Sequence, residues 1–216
     1  MKKEITYVKS SVTGGHLAFK SETAKIPFCN PMRECMSIEL NDDDIVADVG
    51  AYVGEYSMYA ARQGVKKVIS YEATPETFEL LKQNTAKYNN VEVHNLAVVG
   101  DDRKECLLFL SKGVGVTNSI AKTARKMSSI SVPAINYTDA IKDATVVKID
   151  VEGAEYGFDI IQPHLRAIIL EFHPLTKKDW KEMAYNIMNK IEQAGFKSLV
   201  YPTFKNGWAL NSSWVR

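Results

Sequence analysis

Residues Ile45–Tyr59 read IVADVGAYVGEYSMY, and this pattern decides the fold. Ile45–Val49 is a short apolar, β-branched run of the kind that fills a buried parallel strand, and Gly50 and Gly54 follow it before helical spacing begins. Strand, tight glycine turn and helix start come in that order. Such a turn is expected to bring backbone amides and a helix N-terminus close to a polar ligand, with the Asp48 carboxylate at the strand end available to an ammonium or hydroxyl.

A second element matches the first. Val65–Tyr71 (VKKVISY) reads as the next strand and runs into Glu72, an acid placed to accept hydrogen bonds from the two hydroxyls of a ribose. The turn has the spacing D-x-G-x-x-x-G, and Tyr52 stands where dinucleotide folds carry the glycine that admits a pyrophosphate. A nucleoside ligand without a pyrophosphate fits better. S-adenosylmethionine (SAM) is such a ligand, with its adenosine at Glu72 and its amino-acid end at the turn formed by Asp48, Gly50, Ala51, Tyr52 and Gly54.

Working outward, 216 residues with 45% hydrophobic and 25% charged content make an ordinary globular chain, long enough for one α/β domain with a full core. The formal net charge of +1 supplies no field for nonspecific nucleic-acid binding, and the basic runs Lys122–Lys126 and Lys177–Lys181 read as solvated faces. Cys29, Cys35 and Cys106 form no C-x-x-C pair, so neither a disulfide framework nor a zinc site is expected, and a cytoplasmic setting is the simplest expectation. Asn41–Asp44 (NDDD) reads as a turn rather than a metal site, and no metal is expected. No stretch approaches the roughly 18 apolar residues of a membrane span, and MKKEITYVKSS has no apolar core for a signal peptide.

Residues 1–40 lack a strong period and read as short strands and loops forming a flap, ahead of a main domain over 41–216. The spacing predicts helices over Glu55–Gln63, stopped by Gly64, and over Glu76–Tyr88, with Pro75 in its first turn. Further strands are predicted at Val91–Asn95, Glu105–Leu110, Ile130–Ile135, Thr145–Asp150 and Arg166–Phe172, and a helix over Trp180–Ala194. Leu96-Ala97-Val98 marks a strand end, where Ala97 either lines an adenine pocket or simply serves the turn. Ser111–Ser119 is a candidate substrate lid. Phe196–Tyr201 and Gly207–Asn211 are predicted to pair as a terminal antiparallel hairpin on an otherwise parallel sheet.

Buried parallel strands should be almost continuously apolar, so polar residues near their carboxyl ends need a reason. Lys148 and Asp150 fall on one side of their strand, and Glu171 and His173 on one side of theirs. In open α/β sheets this is the rim where ligands bind. In V-E-G-A-E, Glu152 and Glu155 are expected near a helix start, where they either face the cleft or complement the helix dipole. His173 titrates near neutrality in its ordinary state and is the candidate general base, with Asp150 orienting the acceptor or the cofactor's amino group. His16, His94 and His164 are isolated, and structural roles suit them.

DVGAYVGEYS, YEATPETFELLKQN, VVKIDVEGAEYGFDII and IILEFH together resemble the FkbM family of SAM-dependent methyltransferases, over roughly Asp44–His173. The resemblance implies a Rossmann-like class I methyltransferase with a seven-stranded, mainly parallel sheet, often O-methylating a hydroxyl of a sugar, glycan or natural product. It implies that Asp48, Gly50 and Gly54 form the cofactor turn, that Glu72 binds the ribose, and that Asp150 and Glu152 line the cleft. The family's F-E-P is Tyr71-Glu72-Ala73 here, which places Ala73 in the adenine wall. The alternatives are a SAM-binding module without catalysis, or a methyltransferase acting on nucleic acid. The N/D-P-P-Y motif common in amino-methylating enzymes is replaced here by KIDVEG.

Overall fold

The computed structural model describes residues 5–9, 16–20, 36–110, 118–120, 128–174, 179–200 and 210–216. Most of the candidate lid (111–117), the whole of the first basic run and 177–178 of the second, and the greater part of the N-terminal flap lie outside them. The strands are β1 (Ile5–Lys9), β2 (His16–Lys20), β3 (Ile45–Val49), β4 (Lys67–Tyr71), β5 (Val91–His94), β6 (Ala97–Val99), β7 (Glu105–Leu110), β8 (Ser128–Asn136), β9 (Val146–Ile149), β10 (Ala167–Phe172), β11 (Lys197–Val200) and β12 (Leu210–Val215). The helices are α1 (Glu55–Arg62), α2 (Pro75–Thr85), α3 (Tyr137–Ala140) and α4 (Trp180–Gln193), with a 3-10 turn at Glu155–Gly157.

The main sheet has seven strands in the order β11-β12-β10-β9-β3-β4-β5. The contacts from β10 through β5 are all parallel, while β12 runs antiparallel to both β10 and β11. This is the α/β class I methyltransferase architecture with its C-terminal hairpin. β6, β8 and β7 form a separate three-stranded sheet.

The period of two sorts the core. Val46, Val68, Val146 and Ile169 face one side, where Tyr56, Ala60 and Ala61 of α1 cover them. Ala47, Val49, Val147, Ile149, Ile168, Leu170 and Phe172 face the other, under α3 and Ala184, Met188 and Ile191 of α4. Asp48 pairs in register with both Ser70 and Lys148, and Lys148 with Ile169. The polar residues at the carboxyl ends therefore gather on the α1 side of the sheet.

Two expectations shift. The last strand is Leu210–Val215 rather than Gly207–Asn211, and 207–209 lie outside the described residues. Ser212 and Ser213 disguise it as loop, yet both are fully buried: the Ser212 hydroxyl donates to Leu170 O (3.0 Å), and Ser213 Oγ meets Ser37 Oγ (2.6 Å). V-E-G-A-E opens no helix beyond the single 3-10 turn.

β1 and β2 pair antiparallel, and the hairpin docks on α2: Ala18 N–H donates to Asn84 Oδ1 (2.8 Å), and Ala18 packs with Val53, Met58 and Leu80.

Candidate active site

The glycine turn is held from three directions. Gly50 N–H and Ala51 N–H both donate to Tyr71 O (3.0 and 2.9 Å), Tyr52 N–H donates to Glu72 Oε2 (3.0 Å), and Gly54 N–H to Ala51 O (2.8 Å). Sequence reasoning expected these amides to approach a ligand. Instead they fasten the turn to the end of β4, because the parallel register brings Tyr71 alongside Val49. Gly50 has φ 81, and a Cβ there would lie 1.8 Å from the carbonyl oxygen of Asp150, so the glycine is what lets this turn meet the end of β9. Tyr52 (φ 52) and Glu152 (φ 53) are the non-glycine residues in the left-handed region among the described residues, one in each loop bordering the cleft.

Asp48 lies beneath the turn rather than on its surface. It is fully buried; its Oδ2 accepts the Ser57 hydroxyl (2.6 Å), and Lys148 Nζ lies 3.4 Å from its Oδ1. Lys148 Nζ also donates to Gly50 O (3.1 Å) and to Asp150 Oδ2 (3.3 Å). Burying charge is costly unless it is paired, and here one lysine serves two carboxylates and a carbonyl.

Glu72 is buried at the end of β4, where Oε1 accepts Thr74 N–H (2.8 Å) and Oε2 accepts Tyr52 N–H. Burial pushes its carboxyl up, and although the bonds from Thr74 and Tyr52 and the charge of Lys148 oppose this, it stands at about 7. Asn95, which carries no signal in sequence beyond that of a turn residue, fixes this corner by donating to Glu72 O (2.8 Å) and Ala73 O (3.2 Å). Ala73 packs on the apolar cluster that contains Ala97, which is itself buried in β6.

At the rim, Asp150, Glu152, Glu171 and His173 converge. His173 Nε2 lies 3.6 Å from Asp150 Oδ1, 3.6 Å from Glu152 Oε2 and 4.0 Å from Glu171 Oε1. Burial pushes His173 down, but Glu155, Glu152 and Asp150 outweigh it and raise it to about 10, away from the neutral range expected from sequence. Burial raises Glu152 to about 7 against the opposing charge of His173, and burial with the neighbouring Asp150 does the same for Glu171.

Glu155, for which sequence left two readings open, is a positioning residue. It is fully buried; Oε2 accepts Gly153 N–H and Oε1 accepts His173 N–H, both at 2.8 Å. Tyr156 donates its hydroxyl to His173 O (2.8 Å). The far end of the candidate lid reaches both halves of the cleft: Asn118 Nδ2 donates to Thr74 Oγ1 (3.1 Å) and the Ser119 hydroxyl to Glu152 O (2.6 Å).

A seven-stranded sheet, a glycine turn at β3, an acid at the end of β4 and a polar rim beyond β9 and β10 define the class I SAM-dependent methyltransferases. Residues 48–198 match the family model described as the methyltransferase FkbM domain. The chain belongs to that family. Among solved structures it is similar to P. horikoshii TYW2 in complex with MeSAdo (17% identity, TM-score 0.57, covering 99% of this chain and 72% of that one). It is also similar to M. jannaschii TYW2 in complex with AdoMet (16%, 0.51, 100% and 88%). A third similar structure is the precorrin-6y C5,15-methyltransferase of Geobacter metallireducens GS-15 (14%, 0.50, 86% of each chain). No curated protein matches the chain in sequence. Among the described residues, no helix is long and apolar enough to cross a membrane.

Proposed function

We propose that the protein transfers the methyl group of SAM to a hydroxyl oxygen of a sugar, glycan or other natural product. The observation that carries this reading is the Lys148 ammonium, which bonds Gly50 O of the cofactor turn and Asp150 Oδ2 of the rim, so that the two halves of the cleft meet at one buried cation.

SAM supplies a methyl group on a positively charged sulfur, and its in-line transfer needs an aligned oxygen and a destination for the hydroxyl proton. Glu72 accepts the ribose hydroxyls, and Gly50, Ala51, Tyr52 and Gly54 shape the seat of the amino-acid end. Asp48 fixes that seat from below through Ser57 and Lys148. Ala73, backed by Ala97, forms an apolar wall for the adenine. The Asp150 and Glu152 side chains are 32% and 26% exposed against 9% for His173, so the two carboxylates are the groups an acceptor reaches first. They receive the hydroxyl proton as the oxygen–methyl bond forms and the sulfur–methyl bond breaks. His173 holds them in place from behind, and the base role expected of it from sequence passes to them. The β1–β2 hairpin, docked beside Tyr52 and Val53, bounds the acceptor side. A formal net charge of +1 supports a small or uncharged acceptor over a polynucleotide.

Incubation with methyl-13C SAM and separate pools of sugars, glycans, natural products and RNA, followed by NMR of the products, tests the reading. A methyl ether on a sugar or natural-product oxygen is expected. Label found only on carbon, on nitrogen or in RNA refutes it.

A further inference from the structure

We propose that Asp150, Glu171 and His173 form a binding site for a divalent first-row transition-metal ion, of the Mn2+ and Fe2+ type. No local spacing in the sequence announces such a site, because its donors come from the ends of two different strands. One ligand atom from each of the three residues lies within 4.8 Å of the others. The separations from His173 Nε2, 3.6 Å to Asp150 and 4.0 Å to Glu171, are too long for hydrogen bonds. Metal bonds of about 2.1 Å set neighbouring ligand atoms roughly 3 Å apart, so small rotations of the two carboxylates close the site.

A second observation points the same way. The His173 side chain is 91% buried by its 9% exposure, its Nδ1 has no hydrogen-bond partner among the described residues, and its Nε2 faces the carboxylates of Asp150, Glu152 and Glu171. Its Nδ1 faces Glu155 Oε1 at 3.4 Å, while Glu155 is itself fixed by the Gly153 and His173 amides. A carboxylate behind an imidazole is the arrangement that orients metal-bound histidines. The two oxygens of Asp150 are divided between tasks: Oδ2 accepts from Lys148 and Oδ1 faces His173. One imidazole nitrogen with two carboxylate oxygens suits Mn2+, Fe2+ or their neighbours, whereas Mg2+ and Ca2+ prefer oxygen alone.

This inference rests on the rim being the acceptor's seat. An ion held there would polarise the acceptor hydroxyl, and Glu152, which lies outside the ligand set, would take its proton.

The test uses the full chain after chelator treatment, titrated with Mn2+ and followed by electron paramagnetic resonance of the free ion. Calorimetry with S-adenosylhomocysteine is run on the same samples. Saturable binding of one Mn2+ per chain is expected, weakened at least roughly ten-fold in Glu171→Gln and in His173→Gln. Glu171 is only partly buried, so Glu171→Gln remains informative if His173→Gln misfolds. If the wild-type chain binds S-adenosylhomocysteine but shows no saturable Mn2+ binding, or if Glu171→Gln binds Mn2+ as the wild type does, the metal proposal is overturned and His173 is a protonated counter-ion to the rim. Absence of S-adenosylhomocysteine binding refutes the underlying reading instead.

Discussion

Replacing Lys148 by Met probes the joint between the cofactor turn and the rim. The methionine keeps the length and apolar body of the side chain while removing the ammonium that bonds Gly50 O and faces Asp48 and Asp150. Asp48 is then left with one bond, from Ser57, at a site of zero exposure, and its Oδ1 already lacks a hydrogen bond of its own. Removing one partner of a buried ion pair costs about 3–5 kcal/mol, and Asp150, at 32% exposure, recovers little of it in water. For a chain of this size that corresponds to a fall in Tm of roughly 6–20 °C. Urea unfolding of the variant gives the free energy, and Asp48→Asn in the Lys148→Met background should restore part of it by removing the orphaned charge. A loss below about 1 kcal/mol in the single variant, or no recovery in the double one, refutes the idea that Lys148 compensates Asp48.

Glu72→Ala should weaken SAM binding by roughly 1.5–3 kcal/mol, measured by calorimetry in a folded variant, because a charged acceptor to the ribose is lost. The wild-type carboxyl stands at about 7 without ligand, and ribose hydroxyls favour its ionised form, so SAM affinity should rise with pH up to about 7 and then level off. Lys148 is the charged group facing it, and Glu72→Gln should flatten the profile. Gly50→Ala should fail to give soluble folded protein, since its Cβ would meet the Asp150 carbonyl; a normal melting curve would contradict the packing of the turn. Burial pushes the Asp44 carboxyl up, but Arg166, Asn41 and Thr145 outweigh it and hold it below the ordinary value. Asp44 therefore contributes stability above the ordinary carboxylate range, and that stability is lost as pH falls through its lowered value. Arg166→Ala should reduce this acid-side loss in unfolding experiments compared with the wild type.

Much of the fold was legible because β3, β9 and β10 are apolar runs whose only breaks, at Asp48, Lys148 and Glu171, fall near their carboxyl ends. Those same breaks exposed the site, since an ion in a buried strand has no cheap structural excuse. β12 was misplaced because Ser212 and Ser213 look solvent-facing until their hydrogen bonds to Leu170 and Ser37 are seen. The commitment of the Gly50 and Ala51 amides to Tyr71 O depends on strand register, which local pattern does not reveal. Asn95, Ser57 and Ser119 were missed for a related reason: asparagine and serine are ordinary in turns and helix starts, and only long-range approach gives them partners. The neutral titration expected of His173 assumed an isolated ring, whereas β9 and β10, adjacent in the sheet, bring acids around it.

A crystal structure of the protein with S-adenosylhomocysteine bound tests the account most directly, because one electron-density map locates both ends of the cofactor. The expected result has the two ribose hydroxyls on the Glu72 carboxylate, the amino-acid end at the turn of Gly50–Gly54, and the sulfur opening toward Asp150 and Glu152. A ligand seated elsewhere, or one whose ribose does not touch Glu72 and whose sulfur points away from that rim, would contradict it.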